Sequence, residues 1–160
     1  MLDEFLPAFI VQPDEAFDTG PSDLAKAVAD DGGDDASEVL MSLGFRRGYQ
    51  RIWTDDLENQ VIVFVYEFCD AAGASAYVDR AIELRKSQAG ARPVSVPLLE
   101  DGSGYVFGDG DYLGASVDVA VGPYVVTALA NGTTETSFPT DPQVLALGAA
   151  SNQVSLLPGS

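Results

Sequence analysis

Five alternating residues in the middle of the chain have the side chains best suited to binding. They are Phe45, Arg47, Tyr49, Arg51 and Trp53, and alternate residues of a β-strand point to the same face of a sheet. Guanidinium groups lie flat on aromatic rings, where the cation–π attraction amounts to about 0.5–2 kcal/mol, and they also bind anions. We therefore predict that Arg47, Tyr49, Arg51 and Trp53 form a binding surface for an anion, a sugar or an acidic peptide.

The same pattern has a purely structural interpretation. Tyr49 and Trp53 would then help to close the core, and the two arginines would pair with the carboxylates of an acidic chain. The two interpretations differ in what the loss of Arg47 and Arg51 does. A binding surface loses its partner, whereas a structural surface loses stability.

The residue inventory excludes most familiar active sites. The 160 residues include no histidine and a single cysteine, which excludes Ser-His-Asp and Cys-His catalysis, histidine metal sites and an intramolecular disulfide. Cys69 ends an apolar run, which predicts a buried thiol. Paired carboxylates are the remaining acid–base chemistry, and no pair stands out from the acidic background. We therefore predict that the chain is not an enzyme.

A loop rich in aspartate and glycine, residues 101–111, looks at first like a calcium site. An EF-hand needs an oxygen ligand at position 5 and glutamate at position 12 of its loop, but this loop places Tyr105 and Tyr112 there. Calcium binding by Asp109 and Asp111 is the weaker alternative. The sequence predicts two ordinary turns, no bound metal and no cofactor.

The charge is strongly negative and unevenly distributed. The chain has 25 acidic and 8 basic residues, a formal net charge of −17, which repels both nucleic acid and anionic lipid surfaces. No apolar run approaches the ~18 residues that cross a bilayer. Residues 1–40 have a net charge of −10 and residues 93–160 a net charge of −7, whereas residues 41–92 are neutral. An anionic partner would meet least repulsion there, at the arginine and aromatic residues.

Hydrophobic periodicity predicts the elements that position these residues. Residues 46–54 and 60–68 alternate as the two strands of a hairpin, and residues 61–66 are apolar on both faces, as in a central strand. Further strands are predicted at 94–98, 104–108, 113–121 and 124–130, and helices at 23–29, at 36–43, from 71 onward and from 142 onward.

Hairpins rather than βαβ crossovers join the predicted strands. The fold class is therefore α+β: an antiparallel sheet of about five to six strands, with helices packed against it. Residues 1–20, which contain two prolines, are predicted to be an extended arm. Residues 21–160 are predicted to form a single domain.

Local signals predict the ends of the helices. The first two helices are predicted to begin at caps on Ser22 and Asp35. Asp70 caps a third helix that is predicted to end at Gly90. The last helix has Pro142 in its first turn. Val144, Leu147 and Val154 are predicted to be its buried side.

The segment 43–53, followed by 63–74, resembles secreted proteins and lipoproteins of actinobacteria. In those proteins a GF-x-x-GY-x-R-x-W strand leads to a V-x-V-Y-x-F-x-D-A-x-G-A strand and helix, and this sequence matches both patterns. Some of them are similar to PsbP-like folds or to extracytoplasmic sensor domains of bacterial Ser/Thr kinases. The resemblance implies an extracytoplasmic location reached with a leader that is absent from this sequence. A cytoplasmic location is the alternative.

These observations predict a non-enzymatic extracytoplasmic domain that binds a protein or a component of the cell envelope. The alternative is a carrier of a small apolar or amphiphilic ligand, which needs an apolar cavity of at least ~300 Å³. A hydrolase that uses carboxylates alone is a third hypothesis, and it needs a converging acid pair in a cleft.

Overall fold

A computed structural model describes residues 19–55, 57–133 and 141–158. In chain order the elements are β1 (Gly20–Ser22), α1 (Leu24–Asp31), α2 (Ala36–Ser42), β2 (Phe45–Thr54), β3 (Gln60–Phe68), α3 (Ala71–Lys86), β4 (Arg92–Val94), β5 (Ser103–Gly108), β6 (Tyr112–Val121), β7 (Tyr124–Thr133) and α4 (Pro142–Ser155). No helix in these ranges is both long and apolar enough to span a membrane.

The seven strands form one sheet in the order β1-β2-β3-β7-β6-β5-β4, and every neighbouring pair is antiparallel. The α+β fold class is confirmed, with one or two strands more than predicted. The unpredicted strand is β1, which pairs with β2. The predicted arm lies outside the described residues except for Thr19 and Gly20, and Gly20 begins β1.

The predicted hairpin is confirmed, and its second strand is central. β3 lies between β2 and β7, so neither of its edges is free. Val61, Val63 and Val65 belong to the core on one face of the sheet. Tyr66 and Phe68 belong to the core on the other face. Helices cover both faces, which explains why this strand is apolar on both sides.

Helix α4 covers one face of the sheet, which we call the α4 face. It packs mainly on β6 and β7, with smaller contacts to β3 and β5. Its buried side consists largely of small residues, including Ala146, Ala149 and Ala150, which let the helix approach the sheet closely. The prediction for Val144 is wrong: this side chain is 49% exposed, and Leu145 lies in the core instead. The helix packs through its alanines together with Leu145, while Leu147 and Val154 are partly buried against the same core.

Helices α1, α2 and α3 cover the opposite face. The predicted cap of α3 is confirmed, because Asp70 Oδ1 accepts a hydrogen bond from Gly73 N at 2.9 Å. The helix ends earlier than predicted, at Lys86 rather than at Gly90. Arg85 and Lys86 occupy the last turn, where positive side chains interact favourably with the helix dipole.

The two predicted N-terminal caps differ from those observed. Asp23, not Ser22, caps α1: its carboxylate accepts a hydrogen bond from Lys26 N at 2.9 Å, and Ser22 is the last residue of β1. Asp35 precedes α2 without a side-chain cap. Its carboxylate instead accepts a hydrogen bond of 2.6 Å from Arg80 Nη2 of α3, so a tertiary ion pair replaces the local bond.

The edge strand β4 is shorter than predicted and lies earlier in the chain. It spans Arg92–Val94 instead of residues 94–98, and two turns follow it. Pro97 has no N–H group to donate to a neighbouring strand, which disfavours continued pairing at this position. In the centre of the sheet, β7 extends to Thr133, beyond the predicted end at residue 130.

The prediction of a buried thiol is wrong, because Cys69 is exposed. It follows β3 directly, at the point where the chain turns towards α3. Its backbone nitrogen donates to Gly44 O at 2.9 Å, so the backbone is held while the side chain faces solvent.

We expect Cys69 to react with a disulfide reagent such as DTNB in the native protein at a rate close to that of the urea-unfolded chain. The measurement is the labelling half-time under the two conditions at the same pH. Native labelling that is slower by about a hundredfold or more, the usual sign of protection by folding, would contradict the exposed position.

Candidate functional site

A cleft of about 360 Å³ opens on the α4 face, over the part of the sheet that α4 does not cover. We call it the α4 cleft. Strands β1, β2, β3 and β7 supply its floor, and the last turns of α4 supply Gln153 on its wall. Its volume lies at the lower end of the range of roughly 300–1,000 Å³ that is typical of small-molecule sites.

Strand register explains which side chains form the floor. Arg47 pairs with Glu67, which pairs on its other side with Tyr124. In the adjacent row Pro21 pairs with Tyr49, which pairs with Val65. Side chains at paired positions lie on the same face of a sheet. Two parallel rows, one charged and one mainly apolar, therefore lie side by side beneath the cleft opening.

An ion pair marks the charged row. Arg47 Nε donates a hydrogen bond of 2.6 Å to Glu67 Oε2, and Arg46 Nη1 lies 3.8 Å from Glu67 Oε1. Glu67 is largely buried, whereas the Arg47 side chain is 78% exposed. One carboxylate thus faces two guanidinium groups, and the local charge of these three residues is +1 in a chain of net charge −17.

Gln153 is the unusual residue of the cleft wall. Its side chain is fully buried, and in the part of the chain that the structure describes neither Nε2 nor Oε1 has a hydrogen-bond partner. A buried polar group without partners costs about 1–3 kcal/mol. An amide held at this cost at the wall of a cleft is in a position to bond a ligand.

We expect Gln153→Leu to raise the free energy of unfolding by about 1–3 kcal/mol, because leucine has a similar volume and no unpaired polar atoms. Urea denaturation followed by circular dichroism measures the change. The matched control is Asn152→Leu at the exposed neighbouring position, where we expect a change within about 0.5 kcal/mol. Destabilisation by Gln153→Leu would show that the amide is satisfied in the folded protein.

The structure divides the four residues of the predicted binding surface. Arg47 and Tyr49 line the α4 cleft. Trp53 is fully buried in the core beneath α4, and the Arg51 guanidinium lies 5.9 Å from the centre of its ring. The buried Trp53 and the Arg47–Glu67 pair match the structural interpretation of the sequence, whereas the cleft position of Arg47 and Tyr49 matches the binding interpretation.

Phe45 does not share the face of these residues, contrary to the prediction from strict alternation. The β2–β3 register shifts between Phe45 and Arg47, and such an irregularity places the residues on its two sides out of alternation. Phe45 packs in the opposite core, where its ring meets Tyr66 edge-on at a centroid distance of 5.3 Å.

Two of the eight described lining residues, Arg47 and Tyr49, were predicted from the sequence. Of the residues that were missed, three have polar side chains, and two of these leave a signal in the sequence. The predicted hairpin already implies that Glu67 lies opposite Arg47. Pairing the predicted strands end to end sets residue 46 against residue 68 and residue 54 against residue 60, and the observed register agrees from Arg47 to Thr54. Gln153 is a polar residue in the helical position of an alanine-rich face. Tyr124 enters the cleft only through the pairing of β7 with β3, which no local pattern indicates.

In the described part of the chain, the aspartate loop contains no cluster of three side chains that could ligate a metal. Asp109 and Asp111 are exposed in the turn between β5 and β6. Across residues 19–55, 57–133 and 141–158, no three acidic or cysteine side chains converge as metal ligands. A second cavity of only about 60 Å³ lies on the opposite face, between α3 and the sheet.

The sheet order and the α4 cleft define an α+β domain with a ligand-sized depression between a sheet and its C-terminal helix. No protein-family model matches the chain, and no curated protein matches it significantly in sequence. Among solved structures, the chain is similar to the extracellular domain of PknH from Mycobacterium tuberculosis, with a TM-score of 0.56 and 15% sequence identity. The likeness covers 90% of this chain and 84% of the PknH domain. At this identity it shows a common fold.

Proposed function

We propose that this chain is a non-enzymatic, extracytoplasmic binding domain whose ligand, a protein segment or a component of the cell envelope, occupies the α4 cleft. The observation that carries the proposal is the combination, in one cleft of about 360 Å³, of an exposed guanidinium, an aromatic and apolar floor and a buried amide with no hydrogen-bond partner among the described residues. Such convergence of a few polar groups on an apolar surface is typical of ligand sites.

The location of the protein is inferred from two independent likenesses. The sequence resembles secreted actinobacterial proteins along 43–53 and 63–74. The fold is similar to that of a domain described as extracellular, that of PknH. Both support an extracytoplasmic site of action, and the fold likeness supports, in part, the resemblance to extracytoplasmic domains of bacterial kinases.

The four binding residues predicted from the sequence remain in the proposal, but they have different roles. Arg47 and Tyr49 contact the ligand. Trp53, buried in the core beneath α4, supports the strand that presents them, and Arg51 lies against its ring. Glu67 orients Arg47 through the 2.6 Å hydrogen bond, because a guanidinium held by one carboxylate presents its other N–H groups in a defined direction.

A carrier of an amphiphilic ligand is the second candidate, and the volume of the cleft favours it. The cleft reaches the ~300 Å³ that a small ligand needs. A wholly apolar ligand fits poorly, because it would leave the Gln153 amide without partners and would desolvate the Arg47–Glu67 pair. Glu67 is the one carboxylate among the described lining residues, so a two-carboxylate hydrolase lacks its second acid there.

A fragment screen followed by ¹H–¹⁵N NMR tests the proposal without knowledge of the ligand. We expect the fragments that bind to shift the backbone signals of Gly48 and Tyr49 and the side-chain amide of Gln153, because binding hot spots lie in preformed clefts. The control is the 60 Å³ cavity on the opposite face, next to Tyr77, which is too small to take fragments. Hits spread evenly over the surface, with none at the α4 cleft, would refute the proposal.

A further inference from the structure

The guanidinium of Arg47 has unused donors at the mouth of the α4 cleft. Arginine has five N–H groups, and within the described part of the chain Nε alone makes a hydrogen bond, to Glu67. The two Nη groups have no partner in the described residues, on a side chain that is 78% exposed. Paired Nη groups match the two oxygens of a carboxylate.

The charge around the cleft selects an anion over a cation. Both oxygens of Glu67 already lie within 4 Å of a guanidinium, one of Arg47 and one of Arg46. An ammonium group would meet two positive guanidinium groups beside Glu67, whereas a carboxylate is attracted by them and adds a partner to the unused Nη groups. In a chain of net charge −17, this neutral middle segment is also where an anion meets the least repulsion.

The buried amide of Gln153 is fully satisfied only by a ligand that both accepts and donates hydrogen bonds. A primary amide has two N–H donors and two acceptor lone pairs, so a carboxylate alone would leave Oε1 unpaired. The backbone of one extended residue supplies a C=O for Nε2 and an N–H for Oε1, because these two groups point to the same side. A sugar also supplies both, but it would bury further hydroxyl groups against the apolar row of Tyr49, Val65 and Pro21, where they lack partners.

We propose that the α4 cleft binds the carboxyl-terminal end of a peptide. The terminal carboxylate pairs with Arg47, the backbone N–H and C=O of the residue before the last bond Gln153, and the last side chain packs on Tyr49 and Val65. This inference rests on the proposed function, since it names the ligand of the same cleft. The chemistry is shared by the C-terminus of an L-protein and by a free peptide end that contains D-residues, as occurs in cell envelopes.

The test titrates N-acetyl-alanyl-alanine by calorimetry and NMR as the L,L free acid, its methylamide and the D,D free acid, with hexanoate as a separate comparison. The free acid is expected to bind at least about tenfold more tightly than its methylamide, which retains the peptide group and lacks the charge. Hexanoate, which retains the carboxylate and lacks the amide, is also expected to bind at least about tenfold more weakly. Comparing the L,L with the D,D free acid distinguishes the two sources of the peptide end.

Three variants assign the roles of the residues. Arg47→Gln is expected to abolish the preference for the free acid over the methylamide, whereas Arg46→Gln, which makes the same charge change one residue away and outside the cleft lining, is expected to preserve it. Gln153→Leu is expected to weaken both peptides at least about tenfold and to leave hexanoate unchanged. The Gln153 side-chain amide signal reports directly on the bond in the unsubstituted protein.

The outcomes separate this inference from the function on which it rests. Equal affinity for acid and methylamide, hexanoate binding as tight as peptide binding, or no binding of either peptide overturns the peptide-end inference. If fragments or amphiphiles still shift Gly48 and Gln153 in that case, cleft binding stands with another ligand. If they do not, the proposed function fails as well.

Discussion

Replacing Arg85 by methionine is expected to lower the free energy of unfolding at pH 7 by about 3–5 kcal/mol. Arg85 Nε on α3 lies 3.6 Å from Oδ2 of the fully buried Asp118 on β6. Without the guanidinium, the carboxylate keeps the 2.7 Å hydrogen bond that Thr127 Oγ1 donates to its other oxygen. It loses its positive partner, however, and a buried charge without compensation is strongly destabilising.

The stability lost in Arg85→Met should be smaller at acidic pH than at pH 7. Burial raises the pKa of Asp118 above its ordinary value of 3.8, and Arg85 opposes this rise. A raised native pKa means that the folded protein binds the proton more tightly than the unfolded chain, so this group makes stability fall as pH rises between the two values. Removing Arg85 raises the native pKa further. The stability difference between the variant and the original protein should therefore shrink as the pH falls towards 5 or so.

Urea denaturation at pH 7 and at about pH 5 measures both effects, with two controls. Arg92→Met removes an exposed arginine from edge strand β4 and should change stability by no more than about 0.5 kcal/mol. Asp118→Asn added to Arg85→Met should recover most of the loss, because it removes the unpaired charge and keeps an acceptor for Thr127. A deficit that neither responds to pH nor is rescued would mean that Asp118 is uncharged in the folded protein.

Trp53→Ala is expected to cost about 3–5 kcal/mol of unfolding free energy, a large fraction of the roughly 5–15 kcal/mol that holds a domain folded. The indole is fully buried in the core beneath α4, in the same cluster as Val61 and Leu145. Truncation removes its apolar surface and leaves a cavity that the surrounding sheet cannot fill. Circular dichroism during urea denaturation is the measurement, because the variant has no tryptophan to report by fluorescence.

Trp53→Phe provides the matched control and separates a core role from direct ligand contact. Phenylalanine fills most of the volume, so a loss smaller than that of Trp53→Ala is expected. Binding of N-acetyl-alanyl-alanine should survive in Trp53→Phe, because Arg47 and Tyr49 remain at the cleft. A stable Trp53→Ala variant that no longer binds the probe would show instead that Trp53 is part of the binding surface, as the alternating pattern predicted.

The hairpin was predictable because its information is local. Alternation over 46–54 and 60–68 and the short polar turn between them are enough to pair β2 with β3. Strand β3 has the predicted bounds, and β2 begins one residue earlier than predicted. Helix α3 was predictable for the same reason, since Asp70 and the periodic apolar residues that follow lie in one continuous segment. The α+β class then follows from the prevalence of hairpins among the connections.

The errors arise where tertiary contacts compete with local preference. Asp35 has the sequence position of a helix cap, but its carboxylate accepts a hydrogen bond from Arg80 of α3 and makes no side-chain cap to α2. The irregularity after Phe45 interrupts an alternation that the residue types alone make continuous. Cys69 follows an apolar strand, yet it lies where the chain turns out of the sheet.

The sequence by itself determined the fold class, the hairpin that presents Arg47 and Tyr49, and the exclusion of most catalytic chemistry, because composition and periodicity act within short segments. Only the tertiary structure decided that a cleft exists there. Its floor needs β1 and β7 beside that hairpin, and its wall needs Gln153 of α4, which is more than 100 residues beyond Arg47 in the chain. The packing of distant elements sets where α4 ends over the sheet, and therefore which part of the α4 face remains uncovered. No local sequence pattern encodes this packing.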